Sequence, residues 1–188
     1  MTRIVILALS KWAHFSWLPR GTRALSERAQ ADANAALLAR FPQLIAVDAP
    51  PLMPPFAVLP RPACTKVLRM TAALAHAALL RRLISADAQR IFACRIAPHV
   101  LHAIQRDLYT RREQADESVT PNILDRADMT AAGLRLALRT LDDPAERALL
   151  QLRLPRAISE RSLQFGECGV RVAVARGWVD TAFALLVR

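Results

Sequence analysis

Residues 63–84 read ACTKVLRMTAALAHAALLRRLI, the most apolar long segment of the chain. Val67, Met70, Leu74, Ala77 and Ile84 recur at helical spacing along one stripe, and Leu68, Ala72, Ala75, Leu79 and Leu83 form a second. A helix apolar on two sides has no face to give to water and belongs in the middle of a bundle. Arg81 and Arg82 fall in its last turn, where cations meet the negative end of the helix dipole. The segment predicts a central helix with other helices packed around it.

Immediately upstream, APPLMPPFAVLPRP (49–62) holds six of the twelve prolines. Proline fixes φ and removes a backbone donor, which excludes a helix interior or a central strand. A solvated linker is rich in glycine, serine and charge, whereas this stretch interleaves Leu52, Met53, Phe56, Val58 and Leu59 and has Arg61 as its one charge. It reads as an ordered strap over the bundle, with Phe56 and Leu59 buried. Pro51 and Pro54 have PxxP spacing, but a ligand for proline-reading domains must be exposed.

Further upstream, TRALSERAQADANAALLARF (22–41) reads as a helix with Leu25, Ala29, Ala33, Ala36, Leu37 and Phe41 inward and Pro42 as its stop. Before it, Pro19 and Gly21 close an aromatic N-terminal element. Downstream, Ser85 caps a helix with Asp87 in its first turn and Ile91, Phe92 and Ile96 inward. Pro98 opens the next, with Val100, Leu101, Ile104 and Leu108 inward. TRREQADESVT (110–120) is a polar connector. Thr120 and Pro121 restart a helix that runs through Gly133, a residue that permits close helix packing. Asp143, Pro144, Ala145 and Glu146 form a capping box, and the helix it starts ends before Pro155. The tail, 169–188, reads as helical with a break at Gly177.

Composition agrees with helix: 53% apolar residues, largely Ala and Leu, with 5% aromatics and five glycines. A chain of 188 residues buries roughly 70% of its unfolded surface as one domain. The expectation is an all-α, compact orthogonal bundle of about seven or eight helices with a proline-rich ordered connector. Within one helical domain over 1–188, an N-terminal helical portion (1–48) leads into the strap (49–62). The central bundle (63–155) and a C-terminal helical tail (156–188) follow. Cys64, Cys94 and Cys168, widely spaced, read as buried thiols in a reducing compartment. The apolar run at 4–9 is too short for a signal peptide and no stretch reaches transmembrane length, so the expected location is cytoplasmic.

The net charge is +10, with lysine only at positions 11 and 66. Arginine rewards phosphate, and a basic all-α nucleic-acid-binding protein is the alternative function; yet the arginines are spread through every segment with no RNP, zinc-finger or GxxG signature. His99 and His102 share a helix face without a third ligand nearby. There is no phosphate loop and no nucleophile elbow. The reading is therefore non-enzymatic, with no cofactor, no metal and no catalytic residue.

Several elements, in order, resemble one family. They are HFSWLPRG (14–21), NAALLARF (34–41) before LPRP (59–62), RRLI (81–84), MTAAGLRLALRTL (129–141) and LLQLRLP (149–155). Together they look like the SctK family of type III secretion proteins over residues 12 to 156. The resemblance implies a helical cytoplasmic adaptor of the injectisome sorting platform. Such a protein joins the cytoplasmic domain of the inner-membrane ring protein SctD to the pod protein SctQ and lies peripherally at the inner membrane without inserting. An adaptor needs two surfaces, and two regions are candidates for partner binding. One is aromatic, Trp12, Phe15 and Trp17, a residue type enriched in binding hot spots, although a hydrophobic lid on the bundle is the favoured reading of these residues. The other is basic, Arg106, Arg111 and Arg112, suited to an acidic partner.

Overall fold

Gly133 lies where two helices touch backbone to backbone: a Cβ added there would stand 1.8 Å from the carbonyl oxygen of Leu68. The structure, a computed structural model, describes residues 2–3, 9–18, 26–45, 51–82, 85–106, 121–165 and 169–187. The polar connector at 110–120, with Arg111 and Arg112, lies outside the described residues. So do Pro19, Gly21, Leu25, Leu83, Ile84, Leu108, Thr120 and Cys168.

The fold is all-α. In chain order the helices are α1 (Leu9–Trp12), α2 (Glu27–Arg40), α3 (Pro55–Val58), α4 (Arg61–Ala75), α5 (Ala77–Arg81) and α6 (Ala86–Ile96), then α7 (Pro98–Gln105), α8 (Arg126–Arg139), α9 (Pro144–Arg153), α10 (Arg156–Ser162) and α11 (Val172–Val187). Eight of these run seven residues or more, and the short α1, α3 and α5 account for the surplus over the sequence expectation. Thr2–Arg3 (β1) and Leu52–Met53 (β2) pair antiparallel, with Thr2 opposite Met53. This two-residue ladder ties the start of the chain to the strap.

α4 is the hub. Every residue from Val67 to Ala75 is buried, and the helix packs chiefly on α8 and α11, with α6 and α3 as further neighbours. α5 packs on α7, α10 on α8 and α1 on α2. The core runs through all of these, from Leu9 to Leu185. The expected single helix over 63–84 is broken at His76, which leaves helical geometry at φ −108° and ψ 33°. The kink lets α5 turn towards α7 while Ala77 and Leu80 stay buried.

From Pro51 on the strap packs over the core as expected, and part of it is helical. Pro54 precedes α3 with Pro55 at its first turn, and Pro60 leads into α4 with Pro62 near its start, the helix position that tolerates a missing donor. Met53, Phe56 and Ala57 are buried, while Leu59 is half-buried against the core and Leu52 is exposed.

Local signals hold where a side chain does the capping. Ser85 accepts from the Ala88 N–H at 3.5 Å and Asp143 from the Ala145 N–H at 2.8 Å. Other expectations are corrected. Ile91 and Cys94 face outward on α6, because Phe92 and Ile96 fill its inward face. Ala36 is exposed on α2, whose buried residues are Ala33 and Leu37. The helix expected from Pro121 starts at Arg126, because the Asn122 side chain closes a turn by accepting the Leu124 N–H at 3.0 Å. Asp125 then supplies the cap, accepting the Ala127 N–H at 2.7 Å. Gly177 does not break α11: Ala175, Trp178, Val179, Ala182 and Leu185 form a continuous buried stripe that holds the helix through it. Among the described residues no helix is long and apolar enough to cross a membrane.

Two outcomes are expected. Gly133→Ala should lower stability by roughly 3 kcal/mol despite alanine's better helix propensity, because the clash is with backbone. Denaturant titration measures it, and a more stable variant would show that α4 and α8 stand further apart. The second concerns His76, whose burial pushes its pKa down to about 4. The unfolded imidazole titrates near 6.5, so the unfolded chain takes up a proton that the folded chain refuses. This contribution is intact above pH 6.5 and is lost as pH falls towards 4, by on the order of 3 kcal/mol. Melting curves of His76→Leu across that window should be flatter than wild type; an equal acid slope would show that the charged ring is tolerated.

Candidate functional site

The aromatic N-terminal element docks on the C-terminal half of α9. Trp12 Nε1 donates to the Leu149 carbonyl and Trp17 Nε1 to the Leu154 carbonyl, both at 2.8 Å, while the His14 N–H reaches the Leu152 carbonyl at 2.7 Å. The Arg153 guanidinium stacks 4.3 Å from the Trp12 ring, and Trp17 meets Phe41 edge-on at 5.5 Å. Trp12 and Trp17 are half-buried parts of the fold, whereas Phe15 is 59% exposed. Of the basic candidates, Arg106 is exposed at the end of α7. Trp12, Phe15 and Trp17 thus come together, with Phe15 alone turned outward.

Arginine has a structural use that the sequence did not disclose. Arg61 donates to the Trp12 and Ala13 carbonyls at the end of α1, at 3.0 and 2.6 Å. Arg153 does the same for Leu59 after α3 at 2.8 Å, and Arg69 for Arg95 near the end of α6 at 3.0 Å. Arg176 and Arg147 take the carbonyls of Thr140 and Leu141 after α8, at 2.9 and 2.8 Å. Each guanidinium meets carbonyl groups left open where a helix ends, the place where a cation also suits the dipole. Arg69 is 5% exposed, and its pKa is pushed down to about 10 by burial, with Arg126 and Arg95 adding to the effect.

Where the strap, the α8–α9 turn and α11 meet, a cleft of about 400 Å³ opens. Phe56, Leu141, Val179 and Phe183 supply apolar lining, with Pro54 and Pro55. Asp142, Asp143, Glu146 and Asp180 also line it, against the single cation Arg176. On a chain of net charge +10 this is a concentrated negative surface. Arg176 lies 3.7 Å from Asp142. Asp143 is engaged in capping α9. Glu146 does not complete the expected capping box; its backbone hydrogen bond comes from Leu52 on the strap. Partial burial raises the Glu146 pKa, and Asp143 and Asp142 raise it further against that hydrogen bond. A carboxylate held above its ordinary range in a cleft is one in need of a cation. In the sequence, Asp143 and Glu146 read as a capping box alone, and Asp180 carried no reading. Three acids within five residues were the available signal.

Two further grooves flank α6 and α9. His99 and His102 are exposed in a shallow one between α6 and α7, with Gln89, Arg90 and Gln105. Among the described residues no group of three His, Cys, Asp or Glu side chains could hold a metal ion. The other groove, about 350 Å³, is lined by Arg135, Leu138 and Arg139 of α8 and Arg147 and Gln151 of α9. No family model, curated protein or solved structure matches the chain.

Glu146→Gln should raise the melting temperature near pH 7, because it removes a carboxylate that folding holds in an unfavourable place. The folded pKa is raised, so wild type itself recovers as pH falls and the carboxyl takes its proton. The difference should vanish below about pH 4.3, the ordinary glutamate value. A variant less stable at pH 7 would mean that the Leu52 contact outweighs the repulsion.

Proposed function

We propose that the chain is a non-enzymatic adaptor of the SctK type in the sorting platform of a type III secretion injectisome. In that role it links the cytoplasmic domain of the ring protein SctD to the pod protein SctQ, at the cytoplasmic face of the inner membrane, and is needed for platform assembly and secretion. The observation that carries the reading is a division of charge on one helix. Glu146 and Arg147 are neighbours on α9, yet Glu146 lines the acid-rimmed cleft and Arg147 the arginine-lined groove. Two surfaces of opposite charge on one helical scaffold suit a protein that must hold two different partners in register.

The arginine-lined groove also favours a second reading, a nucleic-acid binder. Against it, Arg61, Arg69, Arg147, Arg153 and Arg176 are engaged with backbone carbonyls. Titration calorimetry against the two cognate domains decides between them. Both should bind, and Arg135→Glu with Arg139→Glu should weaken one partner at least tenfold and lower its salt sensitivity. Wild type binding neither domain would overturn the adaptor, and retention on duplex DNA with a steep salt dependence would support the second reading.

A further inference from the structure

The acid-rimmed cleft has features that a merely solvated acidic patch lacks. It is concave, and its volume falls within the roughly 300–1,000 Å³ of sites that engulf side-chain-sized groups. Its lining combines aromatic rings and prolines with carboxylates, so an occupant must satisfy both. The chain itself already seats one guanidinium there. Arg176 donates to the Thr140 carbonyl at 2.9 Å and lies 3.7 Å from the exposed Asp142. The exposed Asp180 side chain has no ion pair or hydrogen bond among the described residues, and Glu146 has a single backbone donor and two acidic neighbours.

We infer that this cleft docks a partner segment in which an arginine or lysine is flanked by large apolar side chains. The cation sits between Glu146 and Asp180, and the apolar neighbours lie on Phe183, Val179 and the Pro54–Pro55 lip. Charge complementarity selects the occupant. The surrounding protein is strongly basic, so a cationic segment is repelled elsewhere and drawn here, while a purely apolar or acidic segment gains nothing from the rim. The prolines add a stiff wall whose shape is set before binding, which limits the ordering that docking requires. The inference stands apart from the adaptor reading, because it concerns what this cleft accepts and not which protein supplies it.

Three fluorescein-labelled synthetic peptides of equal length test it: one alternating leucine and arginine, one leucine and glutamine, one leucine and glutamate. Anisotropy titrations with the full chain should show the leucine–arginine peptide binding at least tenfold more tightly than the leucine–glutamine peptide. The glutamate peptide should not bind. The double variant Glu146→Gln and Asp180→Asn should lose at least tenfold for the arginine peptide with no fall in melting temperature, and Phe183→Ser should weaken it as well. Equal affinity for the arginine and glutamine peptides, or undiminished binding by the double variant, overturns the inference. So does a concentration-dependent dimer that the double variant abolishes, since the occupant would then be a second copy of this chain. Failure of both secretion partners to bind in calorimetry, with peptide selectivity intact, would remove the adaptor reading and leave the cleft assignment standing.

Discussion

The contact between Gly133 and the Leu68 carbonyl sets the spacing on which the remaining packing depends. Helices normally stand apart by the depth of their side chains, about 8–10 Å between axes. Here the absence of a single Cβ lets α8 lie against the backbone of α4. That approach encloses Met70 and Leu134 completely and leaves α11 to cover both helices with Trp178, Val179 and Ala182. α4 can be buried all round from Val67 to Ala75 because its neighbours come this close. The same approach fixes the turn after α8, and through it the position of Asp142 and Asp143 above the strap.

Short helices create many ends, and each end leaves carbonyls without intrahelical partners. This fold answers with guanidinium groups sent from other elements: Arg61 to α1, Arg153 to the end of α3, Arg69 to α6 and Arg176 to α8. Arginine suits the task better than lysine, because its planar fork offers several donors in fixed directions and it is more weakly hydrated. At these positions the choice of arginine has a structural origin before any functional one. An arginine count taken as a measure of phosphate affinity would misread these positions.

Much of the fold was legible because its signals are local. Ser85, Pro98 and the Asp143–Pro144 pair act within a turn of the chain, and Gly133 in an otherwise good helix former points directly to close packing. The unread features depend on distant residues. Nothing near His76 announces a break, which follows from where α7 lies; Gly177 is carried by the buried stripe around it. Ile91 and Phe92 are indistinguishable by hydropathy until the neighbouring helix chooses between them. The cleft was illegible for the same reason, since its walls come from residues 52–56, 140–146 and 176–183. Each of those segments has a sufficient local explanation as strap, cap or helix.

The indole contacts of Trp12 and Trp17 span 137 residues of sequence. During synthesis at roughly 5–20 residues per second, their acceptors on α9 appear on the order of ten seconds after the tryptophans do. Throughout that interval Trp12 and Trp17 lack the α9 carbonyls that their indoles bind. An element made early therefore completes its contacts late. Closure of the N-terminal element reports that α9 has arrived and folded, so a chain truncated before α9 displays its tryptophans as an open hydrophobic flag to chaperones and proteases.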